Sequence, residues 1–148
     1  MFLRLAFFSA ILLLGPGHAL AQVEEADPPH YIAHIQLNTV EELHAALQRA
    51  EQLLMSGQLP LGSQMPVAFV LHGPEVRALL RQNYLTNKKT VDLAASLSAL
   101  GVVEVKACET WMGGNRVMAE DLQSFVDTVP YGPGEIQRLV KEENYLYF

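Results

Sequence analysis

The amino-acid sequence predicts an α/β domain with a mainly parallel sheet. Val67–Leu71 (VAFVL) is a continuous apolar run of strand length, the pattern of a central parallel strand covered on both faces. Strand-like segments alternate along the chain with stretches of helical apolar spacing, as βα units require. Length agrees: 148 residues, less a leader of 21, suffice for one domain with a real core but not for two.

The leader is read from charge and hydropathy. Met1–Arg4 carries one positive charge, Leu5–Leu14 is apolar, Gly15-Pro16-Gly17 breaks the run, and Ala19-Leu20-Ala21 ends it with small residues. That is the pattern of a secretory signal. The run is shorter than the roughly 20 apolar residues a membrane span needs. The expectation is a signal over 1–21 cleaved before Gln22, a flexible acidic leader over 22–29 and one domain over 30–148. The mature chain is then periplasmic or secreted and holds no membrane segment; an uncleaved anchor is the alternative.

Within the domain, Tyr31–Leu37 places Tyr31, Ala33, Ile35 and Leu37 on one face and predicts a strand. Thr39-Val40-Glu41-Glu42 fits a capping box, opening a helix with Leu43, Ala46, Leu47, Ala50 and Leu54 on one stripe and Gly57 as its stop. After the VAFVL strand, His72-Gly73-Pro74 turns into a second helix, with Val76, Leu79 and Leu80 inward. Thr90 is expected to cap a third, with Val91, Ala94, Leu97 and Leu100 on one face and a stop at Gly101. Val102–Ala107 predicts a third strand leading into Cys108. Val126–Val129 predicts a fourth, Pro133–Glu143 a helix with Ile136, Leu139 and Val140 inward, and Tyr145–Phe148 a last strand.

Composition excludes some functions. Ten basic residues stand against sixteen acidic, a net charge of −6 that becomes −7 once Arg4 leaves with the signal. With no basic cluster beyond Lys88-Lys89, the chain is a poor partner for nucleic acid or anionic membrane. A single cysteine, Cys108, forbids an internal disulfide, so the thiol is buried, reactive or paired with another molecule.

Cys108 is also the first candidate for chemistry. It sits where a strand ends, and ligand sites in open α/β sheets gather at the carboxyl ends of strands. A helix starting behind it would favour a thiolate, Glu109 beside it would oppose one, and Lys106 is placed to offset Glu109. The competing reading is a small buried hydrophobe. Glu104, Lys106 and Cys108 alternate with Val103, Val105 and Ala107, so the third strand has one polar face. That predicts an edge strand or a subunit interface, with Cys108 near solvent.

His72 ends the VAFVL strand and should share a rim with Cys108, and a Cys/His pair is the minimum for an activated nucleophile. Its other reading is a residue that hydrogen-bonds the turn before Gly73-Pro74. No third residue completes a triad. His30 and His34 are four apart, which on a strand is about 13 Å and too far to share one ion. His44 has no partner one helical turn away, so no metal is expected. Gly132-Pro133-Gly134 lacks the rest of a dinucleotide fingerprint and reads as a turn and helix start, where an anion could sit. No cofactor is expected.

The order of features is more specific than any one of them. VLHGPEVRALL, LSALGVVEVKACETW and VDTVPYGPGEIQRLVKEENYLYF together resemble the DsrE/DsrF-like family, the sulfur-relay, TusD-related group, over about Tyr31–Phe148. The resemblance implies a flavodoxin-like three-layer sandwich with about five strands, assembled as homo-trimers or hexamers. In relay members a cysteine at the place of Cys108 carries a persulfide and passes sulfur from a donor to an acceptor protein. Only Cys108 is carried over; His72 and Gly73 match a recurring strand-end motif without a catalytic role. Two features depart from the pattern: relay members act in the cytoplasm, and Glu109-Thr110-Trp111-Met112 is bulkier and more acidic than an open delivery site. The expected function is a periplasmic sulfur carrier, transferase-like at most, and the alternative is a non-catalytic oligomeric binding module with a structural Cys108.

Overall fold

The computed structural model describes residues 29–36, 38–59 and 67–148. The signal over 1–21 and the leader as far as residue 28 lie outside them. Five strands form one sheet in the order β4-β3-β2-β1-β5, every pair parallel. They are β1 Tyr31–Ile32, β2 Val67–Leu71, β3 Val103–Cys108, β4 Val126–Val129 and β5 Leu146–Tyr147. The helices are α1 Val40–Met55, α2 Lys88–Ala99, α3 Glu109–Gly114 and α4 Gly132–Lys141. This is the expected α/β architecture, a three-layer flavodoxin-like sandwich.

β2 is central, pairs with β1 and β3, and is buried along its whole length. Its side chains divide by the two-residue period of a strand. Val67, Phe69 and Leu71 join the large core under α1, α2 and the 3₁₀ segment Pro74–Leu79. Ala68 and Val70 join a smaller core with Ile32, Val129, Leu139 and Tyr145, under α4.

Several expectations shift. The strand expected over Tyr31–Leu37 stops at Ile32, with one further backbone bond from Ala33 N–H to the Ala68 carbonyl. The Glu42 carboxylate then accepts from the amides of Gln36 and Asn38, which turns the chain out of the sheet. The other half of the capping box holds, since Thr39 Oγ1 accepts from Glu42 N–H. The second helix is a 3₁₀ segment, although Val76, Leu79 and Leu80 are buried as expected. Thr90 does not cap α2, which starts two residues earlier after Asn87; its buried hydroxyl pairs with His44 Nδ1 at 3.2 Å. Leu100 is half exposed, because it is already the C-cap. Gly57 and Gly101 do close α1 and α2, at φ +73° and +67°, where a Cβ would be strained.

The polar face of β3 has a different explanation from the one expected. β3 is not an edge strand, because β4 pairs with it on the outer side. Its charges are met by α4 instead: Lys106 Nζ lies 3.2 Å from Glu104 and 3.1 Å from Glu135, and Glu135 is also held by Arg138. Arg138 in turn pairs with Glu143.

Candidate functional site

The carboxyl ends of β2, β3 and β4 form one rim, and the loops leaving them bring three residues together. β3 ends at Cys108, whose extended backbone is the N-cap of α3. β2 runs into His72. β4 runs through Pro130 and Tyr131 into Gly132, the first residue of α4. The Gly132 N–H donates to Cys108 Sγ at 3.2 Å. A Cβ built on Gly132 would lie 2.8 Å from His72 Cβ and 3.1 Å from Cys108 Cβ, so only glycine fits there. The rim joins the cysteine and histidine that the sequence singles out, and a glycine backbone is the piece between them.

Two expectations about the thiol are corrected. Cys108 is 2 % exposed rather than near solvent, because α4 covers the polar face of β3. Lys106 does not offset Glu109: it is engaged by Glu104 and Glu135, while Glu109 Oε1 accepts from the Thr128 hydroxyl at 2.7 Å. Among the described residues, no hydrogen bond joins the His72 ring to Sγ. His72 is partly exposed, and its backbone N–H serves the turn, as the competing reading holds.

That turn depends on a residue the sequence reading passed over. Glu75 is fully buried, and its Oε1 accepts from the amides of His72 at 2.9 Å and Gly73 at 3.0 Å. Its Oε2 has no hydrogen-bond partner among the described residues. A Cβ on Gly73 would come within 2.7 Å of that oxygen and 2.6 Å of Asn38 Cβ. The signal is an acid right after Gly-Pro, able to reach back to the turn's free amides as a capping carboxylate does. Glu75 therefore fixes where β2 delivers His72.

The electrostatics of the covering helix are strong and local. Hydrogen bonds from Arg138, against the cost of burial and helped by Lys106, hold the Glu135 carboxyl down at about 2. Burial works against the charge on Lys106, but its bonds to Glu135 and Glu104 outweigh that and keep its pKa above the ordinary lysine value. α4 is thus tied to β3 at two points, Lys106 and the Cys108 sulfur.

Gly132-Pro133-Gly134 does start a helix, one residue earlier than expected, and the first free amide goes to the thiol. His30 and His34 lie against different rings, Tyr145 and Tyr147, each at 5.0 Å between centroids. No group of three His, Cys, Asp or Glu side chains among the described residues could hold a metal ion. No helix among them is long and apolar enough to cross a membrane.

No family model matches the chain, and no curated protein matches it. Its fold is shared. The chain is similar to the solved structure of MTH1491, a protein of unknown function from Methanobacterium thermoautotrophicum, with a TM-score of 0.63 at 21% identity. The match covers 81% of this chain and 97% of that one. At that identity the likeness concerns the fold alone. What is shared is the α/β fold, a parallel sheet flanked by helices.

Proposed function

We propose that this chain is an exported member of the DsrE/DsrF-like family. On this reading it is a periplasmic sulfur-handling protein that carries sulfane sulfur as a persulfide on Cys108. The observation that carries the reading is the Gly132 N–H on Sγ, beside His72 at the strand-end rim. A backbone donor aimed at sulfur is suited to hold the negative charge of a thiolate or of a bound persulfide.

The chemistry is two displacements at sulfur. The Cys108 thiolate attacks the outer sulfur of a donor persulfide. A new S–S bond forms on Cys108, the donor's S–S bond breaks, and the donor leaves as a thiolate. A partner thiolate then attacks the outer sulfur on Cys108 and removes it, returning the Cys108 thiolate. Sulfur is passed on without net oxidation, which makes the protein a carrier more than a turnover enzyme. His72 lines the rim and is assigned no proton transfer. Homo-trimers or hexamers, a protein donor and a protein acceptor belong to the same proposal.

The burial of the thiol favours a second reading, a non-catalytic oligomeric binding module in which Cys108 packs the rim. Intact mass after incubation with polysulfide separates the two. A carrier gains mass in steps of one sulfur, loses it to a thiol reductant, and gains none as Cys108→Ser. A packing cysteine gains none until the protein is unfolded.

A further inference from the structure

One pair of basic residues in this acidic chain is brought together by the fold, not by the sequence. Arg77, on the 3₁₀ segment after β2, and Arg116, just past α3, line one polar cleft of 460 Å³ with Asn83, Asn115 and Asp121. That volume is within the range of small-molecule sites. The Asp121 carboxylate already accepts from Met118 N–H at 2.8 Å. Neither arginine forms an ion pair among the described residues.

Arg77 is held in place. It donates to Asn115 Oδ1 at 2.9 Å, and its guanidinium carbon stands 5.8 Å from the centre of the Trp111 ring. A guanidinium has five N–H donors, so most of its fork remains free.

Arg116 occupies a position that normally belongs to glycine. α3 ends in a Schellman motif, with Arg116 N–H on the Gly113 carbonyl at 3.3 Å and Val117 N–H on the Met112 carbonyl at 2.9 Å. The residue between those bonds must be left-handed, and Arg116 has φ 56°. A side chain there is strained, where glycine would not be. Its guanidinium makes no hydrogen bond or ion pair among the described residues that would offset that strain.

We infer that this cleft binds a small polar molecule carrying a phosphate or carboxylate group, clamped between Arg77 and Arg116. Two arginines without an ion pair among the described residues line it, one preorganised and one kept at a backbone cost, and paired guanidiniums suit planar or tetrahedral oxyanions. The site does not use Cys108.

The test is calorimetric titration and thermal shift of the exported chain with inorganic phosphate, glucose 6-phosphate and citrate. Glucose, and sodium chloride at matched ionic strength, are the controls. Saturable binding is expected for at least one anion and for neither control. Arg116→Gly should melt no lower than the parent without anion, because glycine relieves the left-handed strain. It should nevertheless bind at least about tenfold more weakly, as loss of one charged hydrogen-bonding partner implies. Arg77→Gln should weaken binding similarly, and Cys108→Ser should bind as the parent does. Absence of saturable binding by all three anions would overturn the inference, and so would parent-like affinity in both arginine variants.

Discussion

The two faces of the sheet are built on different principles. Under α1 and α2 the sheet presents apolar side chains, with Phe69, Leu71, Val103, Val105 and Ala107 almost completely buried. Under α4 the apolar patch is small, and beside it β3 presents Glu104, Lys106 and Cys108, met by Glu135 and by the Gly132 amide. Apolar contact stabilises without fixing direction, whereas ion pairs and hydrogen bonds specify geometry at modest net stability. The first face holds the domain together. The second sets where the sulfur sits.

The largest expected effect is on the apolar face. Phe69→Ala should cost about 3–5 kcal/mol in chemical denaturation, and Leu139→Ala under α4 about 2–3 kcal/mol, near the lower end for a core leucine. Equal losses would erase the contrast between the faces. Glu135→Gln should cost about 1.5–3 kcal/mol, since two charge-assisted hydrogen-bond partners lose their acceptor charge. Its signature is in pH. The Glu135 pKa is about 2 in the fold against 4.5 ordinarily, so its stabilisation is complete above about 4.5 and is lost as pH falls through about 2. Denaturation midpoints across that window should fall less steeply in Glu135→Gln than in the parent.

Gly132→Ala sharpens the comparison at the thiol. The added methyl meets two Cβ atoms, which cannot swing aside as the end of a long side chain can. A loss of about 1–3 kcal/mol is expected, with faster maleimide labelling of Cys108 as α4 lifts from the rim. Unchanged stability and unchanged labelling would mean that Gly132 does not set the cover over the sulfur.

What was legible in the sequence follows from how local each cause is. β2 lies where its apolar run puts it, β4 spans the expected Val126–Val129, and Gly57 and Gly101 stop their helices because the left-handed turn is a property of one residue. β1 is shorter than its alternation implies because its end is decided by Glu42, ten residues beyond the last strand residue Ile32; the Glu42 carboxylate accepts from the amides of Gln36 and Asn38. The joining of His72 with Cys108 was visible in the strand-end rule. The depth of Cys108 was not, because its cover comes from α4, whose Glu135 is 29 residues from Lys106. Arg77 and Arg116 share a cleft only through the fold, and no spacing in the chain announces it.

The central claim is that Cys108 accepts sulfur despite its burial. At 2 % exposure, maleimide labelling of the native protein should be slow, so labelling rate alone does not decide the matter. Intact mass after polysulfide treatment does. The account predicts a gain of one sulfur per chain, reversed by a thiol reductant and missing in Cys108→Ser. No gain in the folded protein, with full alkylation of Cys108 after unfolding, would contradict it.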